Sequence, residues 1–99
     1  KAKQDVLLIW ATTSVPSPRG VGVADVTGDT IADLLALDAT NKALYVLAGD
    51  GAGGWGVPIG HYGLSGPTVL ATGDVNGDGK VDVVVADTGA SAVAVFLHK

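Results

Sequence analysis

Between Gly73 and Asp87 the chain reads GDVNGDGKVDVVVAD, with carboxylates at Asp74, Asp78 and Asp82, an amide at Asn76 and glycines at Gly77 and Gly79. Side-chain oxygens at alternate positions of a tight loop can all point inward. There they supply what a hard divalent cation such as Ca2+ takes, about six to eight oxygens from carboxylates, amide and backbone carbonyls and water. On this pattern Asp74, Asn76, Asp78 and Asp82 are the side-chain ligands, and the main-chain carbonyl of Lys80 lies between the last two. Gly79 stands where such a loop turns sharply with positive φ. Without a cation the crowded carboxylates repel one another; Ca2+ reverses the sign, so metal binding and loop order are coupled. The competing reading is a metal-free Asp/Asn/Gly hairpin whose aspartates only form turns.

A weaker copy, ADVTGDTIADLLALD, runs from Ala24 to Asp38. It keeps the carboxylates as Asp25, Asp29 and Asp33, and Ile31 offers the backbone carbonyl. Thr27 replaces the amide and Thr30 replaces the glycine. A hydroxyl is a poorer ligand than an amide carbonyl, and threonine resists positive φ. The first loop is therefore expected to hold metal more weakly than the second. An EF-hand is excluded: it needs a bidentate Glu where this chain has Val85, and flanking helices where this chain has strand-like runs. Asp38 and Asp87, which close the two stretches, read as turn residues after a strand.

The elements that carry these loops repeat with them. Asp25 recurs 49 positions on as Asp74, and without a gap Pro18 meets Pro67, Asp38 meets Asp87, Ala43 meets Ala92 and Val46 meets Val95. In the second unit PTVLATGD, DVVVA and SAVAVFLH read as strands; in the first, RGVGVAD, DLLAL and ALYVLAG do so. The first unit continues through the glycine-rich turn DGAGGWG into a fourth strand, WGVPIGHYG, which Pro58 marks as an edge. Four antiparallel strands in a unit of this length is the size of a propeller blade. VLLIWATTS, Val6 to Ser14, falls in the register of that fourth strand.

The expected fold is therefore all-β, with two four-stranded antiparallel β-propeller blades per chain assembling into a multi-bladed propeller by strand exchange. Residues 1–17 carry the outer strand that closes a neighbouring chain's blade. Residues 18–66 form a complete blade, and 67–99 form three strands of the next. Head-to-tail contacts of this kind close into a ring when the rotation per subunit divides a full turn, so the blade count is even. A homo-oligomer follows, with a trimer or tetramer favoured. The first residue is Lys, as in a processed or excised chain.

Composition agrees with this reading and removes other functions. All ten acidic residues are Asp, which suits turns rather than helix surfaces. The net charge of −4 argues against nucleic acid and anionic lipid as partners. No run is long and apolar enough for membrane insertion. The absence of cysteine removes disulfides, thiolate metal sites and Cys–His nucleophiles. No activated nucleophile is recognisable and the paired carboxylates are committed to metal, so an enzyme is not expected.

DVNGDGKVDVVVA, followed by a small-residue strand, together with the GDGAGGW turn, resembles the FG-GAP/VCBS repeat of integrin-like β-propellers. The likeness covers nearly the whole chain, and its core is Asp-x-Asn/Asp-x-Asp-Gly-x-x-Asp before a strand. It implies a blade with a calcium loop between its first and second strands. Bacterial extracellular members of this kind accompany secreted hydrolases or form lectins, which implies an extracellular setting and makes glycans an alternative partner. A designed repeat protein would show the same two whole periods. For a lectin, Trp55 and Trp10 are the aromatic platforms and His61 a hydrogen-bonding neighbour, although blade packing is the commoner use of such tryptophans. His61 and His98 read as surface histidines. The functional expectation is a non-enzymatic calcium-binding propeller module forming a homo-oligomeric ring. The alternatives are a lectin with sites between blades and a fragment of a larger secreted or adhesion propeller.

Overall fold

The computed structural model describes Leu8 and residues 10–99. The described residues form two antiparallel sheets, with no α-helix among them. The first holds β1 (Pro18–Ala24), β2 (Asp33–Asp38), β3 (Ala43–Leu47) and β4 (Ile59–Tyr62), paired in that order; the second holds β5 (Pro67–Gly73), β6 (Asp82–Asp87) and β7 (Ala92–Phe96). A single 3-10 turn, Thr88–Ala90, joins β6 to β7. The offset seen in the sequence is kept in the ladders: Ala24 pairs with Asp33 and Gly73 with Asp82. The slip that follows Pro18 recurs after Pro67, where proline has no N–H to give the ladder.

Burial explains why the second strand of each unit is a continuous apolar run. Leu35, Leu37 and Leu44 face the second sheet and meet Val83, Val85 and Leu64 in the main core. On the opposite face of the first sheet Ala43, Tyr45 and Leu47 form a smaller cluster, joined by Leu34, Trp55, Ala11 and Val15. β2 is thus covered on both sides, as its unbroken apolar sequence requires.

Two expectations change. The fourth strand is shorter than WGVPIGHYG: it starts at Ile59, directly after Pro58, and Trp55 makes only an isolated bridge to Gly49. Of the outer strand expected at Val6 to Ser14, Val6, Leu7 and Ile9 lie outside the described residues. Leu8 and Trp10 to Ser14 join neither sheet.

Asp38 and Asp87 do more than form turns. Asp38 is fully buried and accepts from the Ser17 and Thr40 amides at 3.2 and 3.0 Å and from Asn41 Nδ2 at 2.9 Å. Asp87, 5% exposed, accepts from the amides of Ser65 and Gly66 at 2.9 and 2.6 Å. Each carboxylate staples the segment entering a sheet's first strand to the end of its second. Asp38→Ala would strand the Ser17 and Thr40 amides and take one of two acceptors from Asn41 Nδ2, and urea unfolding is expected to show a loss of about 1.5–3 kcal/mol. Substitution of the exposed Val57 by Ala should leave stability within about 0.5 kcal/mol.

Candidate metal centre

Each sheet holds one acidic loop between its first two strands. Carboxylate oxygens of Asp74, Asp78 and Asp82 lie within 4.8 Å of one another, and so do those of Asp25, Asp29 and Asp33. The strands bring the ends of each loop together: Asp25 follows β1 and Asp33 opens β2, while Asp74 follows β5 and Asp82 opens β6. The carboxylates named from sequence therefore converge in both units.

The last carboxylate of each loop is the buried one. Asp82 has no exposed surface; its Oδ2 accepts from the Val75 amide at 3.0 Å and its Oδ1 from the His98 amide at 2.8 Å. Asp33, equally buried, accepts from Val26 and Thr27 amides at 2.9 and 3.1 Å through Oδ2 and from the Gly49 amide at 3.2 Å through Oδ1. Gly49 and His98 occupy the same repeat position. One side chain thus ties the start of the loop, the start of the second strand and the exit of the third.

The first carboxylate of each loop organises the turn. Asp74 Oδ1 accepts from Gly77 and Asp78 amides at 2.8 and 3.2 Å, and Oδ2 from Gly79 at 2.8 Å. The Gly79 amide is the main influence that holds the Asp74 carboxyl below its ordinary pKa; Gly77, Asp78 and Asn76 add to it and outweigh an opposing desolvation. For Asp25, partial desolvation pushes upward, but amides of Gly28, Thr30, Asp29 and Thr27 together bring the carboxyl below its ordinary value. These amides keep the carboxylates ionised, the form a cation needs.

The two loops differ where the sequence said they would, with one addition. Gly77 and Gly79 take φ of 77° and 81°; their counterparts Gly28 and Thr30 take 86° and 68°. Thr30 therefore enters the left-handed region it was expected to resist, at a cost of about 1–2 kcal/mol. Its amide still reaches Asp25 Oδ2 at 2.8 Å, so the loop keeps its shape under strain. Thr27 Oγ1 donates toward Asp33 Oδ2 at 3.1 Å and lies 3.5 Å from Asp25 Oδ1, so one hydroxyl stands between two of the loop's carboxylates. Asn76 Oδ1 instead accepts from the Asp78 amide at 3.4 Å. Ile31 and Lys80, the carbonyl candidates, have amides held by Asp29 Oδ1 and Asp78 Oδ1 at 3.0 and 2.9 Å.

The remaining candidates do not gather. Trp55 is half-buried against the Ala43, Tyr45 and Leu47 cluster. His61, exposed and opposite Leu44 in the ladder, is on the other face, where it lines a cleft between the sheets and meets Phe96 edge-on at 6.1 Å. Trp10 is 74% exposed. His98 is not the surface histidine expected from sequence. It is half-buried, its ring atoms stand 3.6 Å from where a Cβ on Gly28 would be, and Nδ1 is buried without a partner. The sequence signal was its register position opposite Gly49, at the exit of a third strand.

The depressed carboxyls set a direction for acid unfolding. Their stabilisation is complete above the unfolded value of about 3.9 and is lost as pH falls through the lower folded values. Metal-free protein is therefore expected to lose stability below about pH 4, and Asp74→Asn to flatten that limb of the stability curve; circular dichroism against pH checks both.

A family model described as the FG-GAP-like repeat matches residues 25–85, from the first carboxylate of the first loop to the core of β6. No curated protein and no solved structure gives a match. The match spans more than half of the chain and both acidic loops, and the chain belongs to the FG-GAP-like repeat family.

Proposed function

We propose that the chain is a non-enzymatic, calcium-stabilised β-propeller module that assembles with copies of itself into a ring and serves as an extracellular scaffold or binding platform. The observation that carries this reading is the paired acidic loops, each with three carboxylates converging within 4.8 Å on a turn held by backbone amides. The donor set fits a hard divalent cation: carboxylates, an amide and backbone carbonyls, with no soft ligand. Asp74, Asn76, Asp78 and Asp82, with the Lys80 carbonyl, would hold Ca2+ in the second loop. Asp25, Thr27, Asp29 and Asp33, with the Ile31 carbonyl, would hold it in the first. The ion supplies positive charge that cancels carboxylate repulsion, so its role is structural. The exposed loops suit the weak, open sites of extracellular modules.

An even-bladed ring, trimer or tetramer, is the partner state this reading favours. Among the described residues, a sheet of three strands beside one of four leaves the β7 edge unpaired, and an uncovered edge invites a strand. For the carbohydrate-binding alternative, Trp55 and His61 lie on opposite faces of the first sheet, so the two would serve different pockets.

Calcium in excess should raise the melting temperature by about 10 °C, and EDTA should reverse the rise. Asp78→Asn is expected to remove the larger share of that shift and Asp29→Asn the smaller, because Thr27 and Thr30 weaken the first loop. A melting temperature equal in calcium and in EDTA would sink the metal reading for both loops.

A further inference from the structure

The packing of one sheet on the other is a template for what covers the two faces left open. Inside the chain, the face of the first sheet that carries Leu35, Leu37 and Leu44 packs on the face of the second that carries Leu70, Val83 and Val85. The repeat offset maps the first of these faces onto Val84, Ala86 and Val93 of the second sheet. It maps the other onto Val21, Leu34 and Ala36 of the first. These two mapped faces look away from the inner contact, and Ala11, Val15 and Trp55 cover part of the one on the first sheet. They expose Val69, Val93 and Val95 at 60%, 68% and 50% on one side, and Val21, Val23 and Tyr62 at 70%, 61% and 65% on the other.

We propose that the outer face of β5–β6–β7 docks on the outer face of β1–β2–β3 of a second copy, head to tail, repeating the contact that the two sheets make within the chain. The inference rests on the ring reading above and is independent of calcium. Side-chain size supports it. Within the chain Leu70 fills the space at Gly22, where an added Cβ would stand 2.6 Å from Leu70 Cδ1. The corresponding pair between copies is Ala71 and Val21: one side gains a methyl where the other loses a methylene. Likewise Leu37 and Leu44 become the smaller Ala86 and Val93, while across the contact Ala94 becomes the larger Tyr45. Compensating changes of this kind keep total volume near constant, which a packed contact demands and a solvated face does not.

The free edge of β7 fits the same neighbour. β4 pairs with β3 as Tyr62 to Ala43, His61 to Leu44, Gly60 to Tyr45 and Ile59 to Val46. Shifted by one repeat, Thr13, Thr12, Ala11 and Trp10 of the second copy stand opposite Ala92, Val93, Ala94 and Val95. In the single chain Ala11 and Val15 pack on the Ala43, Tyr45 and Leu47 cluster, so the segment lies over part of the face that would receive the neighbour. Moving it to the neighbour's edge both completes that blade and uncovers the docking face.

Val21→Glu and Val93→Glu each place a carboxylate on one outer face at an exposed position, so each chain keeps its fold, and a charge at a docked contact is costly. Light scattering should show wild type as a trimer or tetramer of the 9.8 kDa chain and each variant alone as a monomer. An equimolar mixture should give a one-to-one heterodimer, because one intact copy of each face remains. A monomeric wild type, variants that still assemble, or a mixture that stays monomeric at concentrations where wild type is fully assembled would each overturn the inference. The calcium-dependent melting shift is read on monomeric Val93→Glu: its loss there, with the heterodimer still forming, would sink the metal reading and leave the docking intact.

Discussion

The buried carboxylate at the head of each second strand is the constraint on which the rest of the repeat depends. Asp33 and Asp82 carry charge into a position with no exposed surface, where an uncompensated carboxylate would be intolerable. Backbone amides make the position tenable, and those amides come from two separate places. One set lies in the loop just after the first strand, at Val26 or Val75; the other lies at the exit of the third strand, at Gly49 or His98. The same residue that closes a loop therefore also fixes where the third strand ends. Loop order and sheet order thus meet in one side chain, Asp33 or Asp82. Asp38 and Asp87 repeat the device at the other end of the strand, so each central strand begins and ends on a buried carboxylate.

The two loops show how far that scaffold tolerates weaker residues. Thr30 adopts a φ of 68° because its amide is needed by Asp25 and the strand ends fix the loop's span. The strain is local and the shape survives. Thr27 changes chemistry instead of shape: its hydroxyl lies between Asp25 and Asp33, relieving the repulsion that a cation relieves in full. A loop that partly neutralises its own crowding has less to gain from metal. On the proposed metal reading Thr27 makes the first loop less dependent on a cation, whereas Thr30 only adds strain.

The repeat, the strands of both units and the converging carboxylates were legible in the sequence because each rests on local pattern: Asp spacing, Gly at the turn, unbroken apolar runs. The burial of Asp38 and Asp87 was not, since the partners that bury them, such as Ser17 and Gly66, lie about twenty residues away. His98 was misread for the same reason: its ring rests on Gly28, in the other repeat. The fourth strand was drawn too long because Trp55 and Val57 continue the apolar pattern while Pro58 interrupts the ladder, and here backbone chemistry outranks pattern. Long-range contacts decide these points, and a single repeat does not contain them.

The contact between the two sheets buries one face of each, and the faces that look away from it are covered only in part, by Ala11, Val15 and Trp55 on the first sheet. They must become polar, as terminal caps of solenoids do, or remain apolar and be covered. Here Val21, Val93 and Val95 stand one repeat away from Leu70, Leu44 and Val46 of the inner contact, and none of these exposed positions carries a charge. The β7 edge likewise lacks the lysine or proline that usually blunts an open strand, since Ala92 to Phe96 is apolar throughout. At Val21, Val93 and Val95 the repeat places an apolar residue on the outer face wherever the inner contact has one.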